Sequence, residues 1–214
     1  MSTFISSFIP DRLIIGIDRA LRTVSGQAQA GRANPAIYIE EANLSVEEQA
    51  LSAGLMRVNH VGEICAQALY DAQAAFSTQP DISKQLHEAG KEEEDHLAWT
   101  ASRLKELNSH TSLLNPLWYI GAYACGVVAA KCGDAVSLGF VVETERQVEA
   151  HLASHLDKLP QQDHKSRAIV EQMRVDEIAH GAAAQSLGAS NLPLPVQHGM
   201  KLMAKVMTGT AYYI

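Results

Sequence analysis

A Glu-x-x-His tetrapeptide occurs twice in the chain, at residues 93–96 and at residues 177–180. In an α-helix, residues three apart share one face, so each tetrapeptide would direct a carboxylate and an imidazole at the same point. One such pair is a weak signal, because the motif also arises by chance. Two of them on helices would form the two halves of a metal site, so the surrounding secondary structure decides how they are interpreted.

Apolar residues recur at helical spacing on both sides of each tetrapeptide. Residues 45–48 have the Ser-x-x-Glu form of a capping box, which predicts a long helix over about residues 46–76. Further amphipathic helices are predicted from just after residues 80–81 to about 107, and over about 134–159, 161–187 and 196–210. No strand pattern of convincing length is present, so the sequence predicts an all-α fold.

Two more glutamates lie within the apolar stripes of the other long helices. Glu63 lies 30 residues before Glu93, and Glu145 lies 32 residues before Glu177, so the chain is an internal repeat of helix pairs. One carboxylate from each of two helices, with a Glu-x-x-His from each of the other two, is the ligand set of ferritin-like di-iron and di-manganese bundles. We therefore predict a ferritin-like four-helix bundle of two helix-pair repeats, with additional short amphipathic or apolar helices. The six candidate metal ligands are Glu63, Glu93, His96, Glu145, Glu177 and His180.

The candidate ligands suit two divalent cations. Four buried carboxylates would repel one another and lose hydration, and two such cations supply the matching positive charge. Carboxylates and imidazoles suit iron or manganese, and the lack of a cysteine ligand argues against iron–sulfur chemistry and structural zinc. Iron is favoured if dioxygen is the reagent. The structural alternatives are an ion-pair core or, for the acidic run at residues 92–95, a solvated helix face.

Three further side chains are candidates for an outer layer around the metals. Glu92 and Asp176 lie four residues before His96 and His180, and either could accept the free ring N–H and fix the orientation of the imidazole. His151 is a candidate for the same layer or a surface histidine.

On the third bundle helix, Glu143 competes with Glu145 as the ligand. It lies about 200° around the helix axis from Glu145, because the two are two residues apart. The apolar stripe and the repeat spacing both favour Glu145.

An almost continuously apolar segment covers residues 113–130. A membrane-spanning helix needs about 20 apolar residues, and Pro116 shortens this candidate further. We expect a helix that is buried against protein or that contacts a membrane surface or a lipid-like ligand.

Residues 1–44 are expected to form an N-terminal segment and linker, and residues 45–214 the bundle domain. The first residues lack the pattern of a secretory signal. Residues from about 10 to 21 could form a short amphipathic helix with Leu13, Ile14 and Ile17 on one side, and residues 26–37 have the composition of a linker.

The overall charge and the cysteines exclude other classes. A net charge of −7 without clustered Lys and Arg argues against a nucleic-acid partner. The three cysteines, which form no Cys-x-x-Cys motif, are expected to be reduced and to have no catalytic role.

Four stretches closely resemble the demethoxyubiquinone hydroxylase family of ubiquinone biosynthesis: residues 57–63 (Arg-Val-Asn-His-Val-Gly-Glu), 92–99, 142–145 together with His151, and 176–180. The resemblance covers the chain from about residue 45, and the preceding residues are similar to the N-terminal segment of bacterial members. It implies an oxygen-dependent monooxygenase that hydroxylates the ring of a polyprenyl methoxy-methyl-benzoquinol at a di-iron centre held by the six candidate ligands. The implied partners are dioxygen, the quinol and the membrane surface, with other ubiquinone-biosynthesis proteins as further candidates. The implied location is peripheral, on the cytoplasmic side of the cell membrane.

Two other functions use a similar architecture. A ferritin-like iron-storage or peroxide-scavenging protein would need the same six ligands but has little use for a long apolar element. A non-catalytic protein that binds quinone intermediates would tolerate the loss of the ligands.

Overall fold

The structure is a computed structural model that describes residues 8–214, with side chains described from residue 14 onward. Seven α-helices and no strand occur within these residues: α1 Phe8–Val24, α2 Val46–Phe76, α3 Pro80–Glu106, α4 Asn115–Lys131, α5 Asp134–Lys158, α6 His164–Ser186 and α7 Leu194–Ala211. The predicted all-α fold is confirmed, and each predicted helix is present with ends that differ by a few residues. Residues 1–7 and the side chain of Leu13 lie outside the described part of the chain.

The bundle consists of α2, α3, α5 and α6. Its main contacts are within two helix pairs, α2 with α3 and α5 with α6, and the pairs contact each other through α3 with α6 and α2 with α5. The short connections within each pair make the partners antiparallel neighbours. Both pairs also end alike, because a residue with positive φ follows the second helix of each: Asn108 at 54° and Gly188 at 96°. The predicted ferritin-like bundle of two helix-pair repeats is confirmed.

Helix starts follow the local sequence. The capping box at the start of α2 is formed, since the Glu48 N–H donates to Ser45 Oγ at 3.2 Å and the Ser45 N–H donates to Glu48 Oε2 at 2.9 Å. At α6, the Ser166 N–H donates to Asp163 Oδ1 at 3.0 Å. Prolines occupy the first turns of α3, α4 and α7, where a missing N–H costs nothing.

Two apolar clusters fill the bundle on either side of its middle. One includes Leu55, Met56, Leu104, Leu152 and Ile169, and the other includes Tyr70, Leu86, Ala89, Leu138 and Val141. The six candidate ligands lie between these clusters along each helix. The polar residues that interrupt the apolar stripes therefore lie at one level, enclosed from both ends.

Helix α4 crosses the outside of α2 at close range. A Cβ added to Gly126 would lie 2.8 Å from Ala72 Cβ and 3.0 Å from the carbonyl oxygen of Leu69, so only glycine permits this approach. The inner face of α4 is buried, while Leu117 and Ile120 on its other face are exposed. The predicted helix is present, with one face against protein and the other open. Among the described helices, none is both long enough and apolar enough to cross a membrane.

The segment between α1 and α2 has no helix but is attached to the bundle. Ala36 is part of the buried core, and Glu41 accepts two hydrogen bonds from the buried Arg103 at 2.6 and 2.9 Å. Its Gly- and Pro-containing composition predicted the irregular backbone. These side-chain contacts have no periodic signal in the sequence, so they were not anticipated.

Candidate metal centre

The structure brings the six predicted ligands together in the middle of the bundle. All six are buried, with relative exposures of 0 to 6%. Their candidate ligand atoms fall into two groups, within each of which the atoms lie no more than 4.8 Å apart. The first contains Glu63, Glu93, His96 and Glu177, and the second contains Glu93, Glu145, Glu177 and His180. The two groups share Glu93 and Glu177, so these two carboxylates would be available to either of two cations.

Both histidines direct Nδ1 toward the centre. His96 Nδ1 lies 3.2 Å from Glu93 Oε2 and 3.4 Å from Glu177 Oε1. His180 Nδ1 lies 3.3 Å from an oxygen of each of the same two glutamates. Because helices α3 and α6 each place a Glu and a His one turn apart, the two tetrapeptides face each other across the bundle.

Carboxylates on the far side contact the Nε2 atoms, but each comes from the opposite helix pair. Asp176 Oδ2 lies 2.9 Å from His96 Nε2, and Glu92 Oε2 lies 3.3 Å from His180 Nε2. The four-residue spacing suggested contacts within one helix. The observed contacts cross between α3 and α6, because the outer carboxylate of each helix faces the histidine of the other.

Arg32, which the sequence did not predict, joins this outer layer. Its Nη2 donates to Asp176 Oδ2 at 2.8 Å and its Nε to Asp95 Oδ2 at 2.6 Å. The guanidinium also lies 5.0 Å from the centre of the Trp99 ring. A single arginine in an irregular segment has no local signal, and only the folded chain shows where it lies.

On α5 the structure separates the two competing glutamates. Tyr70 Oη donates to Glu145 Oε1 at 2.5 Å within the core, while Glu143 turns outward and accepts hydrogen bonds from Arg146 and Gln147. Glu145 therefore faces the centre, whereas Glu143 is buried on another side of the helix and pairs with the exposed Arg146.

His151 lies away from the six side chains. Its ring packs on His155 with the centroids 4.0 Å apart, and among the described hydrogen bonds none joins it to the candidate ligands. Burial lowers the pKa of His151 to about 4. The structure therefore places it, half-buried beside His155, as a neutral packing side chain.

The neighbouring carboxylates raise the pKa of both histidines of the centre. Burial lowers the pKa of His180, but hydrogen bonds to Glu177 and Glu93 outweigh it and raise the pKa to about 12. The same competition, with the hydrogen bond to Asp176 foremost, raises the pKa of His96 well above its usual value. Without metal, both imidazoles therefore carry a positive charge that offsets the carboxylates.

Burial and neighbouring charges shift the pKa values of the buried glutamates in different directions. Burial and the charge of Glu93 raise the pKa of Glu63, and burial with the charges of Glu177 and Glu93 raises that of Glu145. Burial would also raise the pKa of Glu93, but the hydrogen bonds to both histidines lower it well below its usual value. Without metal, the centre thus offsets its buried negative charge by holding protons on both histidines and on Glu63 and Glu145, and two cations would take the place of these protons.

Comparison with known proteins points in one direction. The family model described as "Ubiquinone biosynthesis protein COQ7" matches residues 50–211. A 3-demethoxyubiquinol 3-hydroxylase of Janthinobacterium sp. (strain Marseille) is 64% identical over 205 residues, which cover 96% of this chain and 99% of the relative. Proteins of the same name from Herminiimonas arsenicoxydans and Herbaspirillum seropedicae are 62% and 60% identical, and each alignment covers at least 95% of both chains.

Proposed function

Because the chain belongs to the COQ7 family of ubiquinone biosynthesis proteins, we propose that its buried carboxylates and imidazoles hold two iron ions. The chain is an oxidoreductase that hydroxylates the ring of demethoxyubiquinol, rather than an iron store or a protein that only binds quinones. The observation that carries the cofactor assignment is the pair of overlapping ligand groups that share Glu93 and Glu177.

The residues fit this cofactor in charge and in donor type. Four carboxylates match the four positive charges of two ferrous ions, and the imidazoles add neutral donors once they release their protons. Three buried oxygens, Glu93 Oε1, Glu145 Oε2 and Glu177 Oε1, accept no well-aligned hydrogen bond. Glu93 Oε1 and Glu177 Oε1 lie 3.3 and 3.4 Å from Nδ1 of His180 and His96, and a cation would replace these two contacts. When bound, the iron ions would supply the activation of dioxygen: one oxygen atom enters the ring, and the other leaves as water after an external reductant provides two electrons and two protons are taken up.

The protein orients this centre and keeps water away from it. Asp176 accepts the Nε2–H of His96, so the Nδ1 atom that faces the centre is the one available to bind a metal ion. Tyr70 holds one oxygen of Glu145 and leaves the other oxygen available. The apolar clusters above and below the six residues exclude bulk water from the reaction.

The substrate ring would approach between α2 and α5. A small cavity lies beside Glu145 and is lined by Leu69, Tyr70 and Thr144 among others. Its volume of about 10 Å³ is about that which one water molecule requires. The backbone of Leu69 also lies close to Gly126 of α4, so Leu69 stands between this cavity and the exposed apolar helix. Entry of the ring therefore requires the wall at Leu69 to move.

Blocking this wall tests the route. We expect Leu69→Trp to lower kcat/KM for demethoxyubiquinol at least tenfold while two iron ions still bind. Val175→Trp, on the exposed face of α6, is the control and should leave both quantities unchanged. A Leu69→Trp variant with full activity would exclude this route.

The polyprenyl tail of the substrate requires a membrane surface. Residues 107–133 and 188–214 contain no Asp or Glu, although the chain has a net charge of −7. Within these stretches α4 exposes Leu117 and Ile120, and α7 exposes Leu202 and Val206 beside Lys201 and Lys205. Apolar side chains beside lysines are suited to the interface of an anionic membrane. This surface would place the enzyme peripherally on the cytoplasmic side of the cell membrane.

Vesicle flotation tests this surface. The full chain should float with vesicles of phosphatidylglycerol and phosphatidylcholine, and Leu202→Glu/Val206→Glu should reduce the floated fraction at least tenfold. The control is Val175→Glu/Ile178→Glu, which alters exposed apolar residues of α6. Equal loss in both variants would contradict a specific membrane surface.

The hydroxylase assignment is tested in cells that lack the final ring hydroxylase. The chain should convert the accumulated demethoxyubiquinol, as measured by mass spectrometry of lipid extracts. Glu177→Gln should abolish conversion and reduce bound iron below two per chain. Glu171→Gln, an exposed position on the same helix, should behave like the unaltered chain. Preserved conversion by Glu177→Gln would refute the di-iron assignment.

A further inference from the structure

The two histidines of the candidate centre have unequal outer partners. His96 Nε2 lies 2.9 Å from Asp176, whose side chain is 10% exposed, whereas His180 Nε2 lies 3.3 Å from Glu92, whose side chain is 44% exposed. A shielded, short contact restrains an imidazole more than an open, longer one, because water competes for the exposed carboxylate. The two halves of the repeat are therefore not equivalent at this position.

The difference extends to what holds each carboxylate. Both oxygens of Asp176 are engaged, since Oδ1 accepts a hydrogen bond from Gln172 at 2.9 Å and Oδ2 accepts one from Arg32 at 2.8 Å. Arg32 lies much farther from Glu92, at 3.7 Å. The guanidinium thus holds the carboxylate that serves His96 and gives little support to the one that serves His180.

Arg32 is itself held in place from several directions. Asp95 accepts hydrogen bonds from the Arg32 side chain at 2.6 Å and from the backbone N–H groups of Gly31 and Arg32 at 2.6 and 3.2 Å. The ring of Trp99 supports the guanidinium from another side. The Arg32 side chain is 38% exposed, but its contacts with two carboxylates and an aromatic ring orient the planar guanidinium.

We propose that Arg32 is a positioning residue for the metal centre, which acts through Asp176 on His96 and makes the cation at His96 bind more tightly than the cation at His180. The inference rests on the proposed di-iron function. Removing an outer partner of a metal-binding histidine typically costs about 10–100-fold in affinity. Arg32 contacts Asp176 at 2.8 Å and approaches His96 Nε2 only at 3.5 Å, so it acts mainly through Asp176 and we expect about the lower end of that range.

The test is an anaerobic calorimetric titration of the metal-free full chain with Fe²⁺ alone. The unaltered chain should bind two ions with affinities at least tenfold apart. Arg32→Gln should weaken the tighter step about tenfold and leave the weaker step within about twofold. Arg32→Lys, which keeps the charge, should recover part of the loss. Arg22→Gln, whose side chain pairs with Asp18 on the exposed face of α1, is the matched control and should match the unaltered chain.

Three further variants identify the step and guard against misfolding. His180→Gln should retain the tighter step, whereas His96→Gln should retain the weaker one. Asp95→Asn releases Arg32 without changing a group on either histidine, and it should reproduce the selective loss of Arg32→Gln. Circular dichroism should show the same helix content in every variant.

The possible outcomes separate this inference from the proposed function. Equal affinities for the two ions in the unaltered chain would overturn the inequality, and an Arg32→Gln titration that matches the control would overturn the role of Arg32. Weakening of both steps alike would show a merely structural role and would also overturn it. An unaltered chain that binds fewer than two ions would instead refute the di-iron proposal.

Discussion

In the metal-free chain, raising the pH should lower the free energy of unfolding, because bound protons then offset the charge of the buried carboxylates. In the unfolded chain His96 and His180 lose their protons near pH 6.5. In the folded metal-free chain both pKa values are raised, that of His180 to about 12, through hydrogen bonds to glutamates and Asp176 that outweigh burial. Above pH 6.5 the folded state therefore binds more protons than the unfolded state. The stabilisation is fully present below pH 6.5 and is lost as the pH rises toward the folded pKa values.

The expected effect is large relative to typical stabilities. Each retained proton changes the free energy of unfolding by about 1.4 kcal/mol per pH unit. His180 alone would thus remove about 3 kcal/mol between pH 7 and 9, from a total that is commonly about 5–15 kcal/mol, and His96 adds to this loss. The raised pKa values of Glu63 and Glu145 act in the same direction, because these carboxyls also hold protons that the unfolded chain releases.

Urea unfolding of the metal-free chain at pH 7, 8 and 9 measures this loss. The chain loaded with Fe²⁺ under anaerobic conditions should show the opposite trend, because metal binding requires deprotonated ligands and strengthens as the pH rises. His151→Gln is the control variant. Burial lowers the pKa of His151 to about 4, so this histidine is neutral in both states above pH 7 and its removal should not alter the slope. A metal-free stability that stays constant or rises from pH 7 to 9 would refute the reasoning.

Two further substitutions test the packing around the centre. A Cβ added by Gly139→Ala would lie 2.1 Å from the carbonyl oxygen of Ser190, so this backbone must shift, and we expect a loss of about 1–3 kcal/mol in thermal or urea unfolding. Gly199→Ala meets no atom within 4 Å and should not destabilise the chain; equal effects of the two changes would contradict the contact. Arg103→Met leaves the fully buried Asp163 without its ion pair, which should cost about 3–5 kcal/mol. The double variant Arg103→Met/Asp163→Leu should recover most of that loss, and failure to do so would show that other Arg103 contacts dominate.

The sequence predicted the helices and the convergence of the six side chains because both depend on periodicity. An apolar stripe interrupted by Glu63 or Glu145 places that residue on the inner face of its helix, and repeat spacing places all the interruptions at one level. Contacts between distant segments have no such signal. Arg32 and Asp176 are 144 residues apart, and nothing in either local sequence indicates that they meet.

For a related reason, the sequence did not show which histidine each outer carboxylate contacts. The spacing within one helix shows that Glu92 and His96 share a face, but helix packing decides which neighbour each side chain touches. Glu92 instead contacts His180 across the bundle. For the apolar segment at residues 113–130, hydropathy alone could not divide the helix into a packed face and an exposed face, because both faces have similar composition.

The crossed contacts between α3 and α6 also bear on the ancestry of the chain. A rotation that exchanges the two helix pairs converts the contact of His96 with Asp176 into that of His180 with Glu92. Two identical copies of one helix hairpin, associated about a two-fold axis, would make both contacts, and neither copy alone could orient its own histidine. Duplication and fusion of such a hairpin would produce this arrangement. Once the copies were joined in one gene, each could diverge separately, and a segment outside the repeat could come to support only one of them.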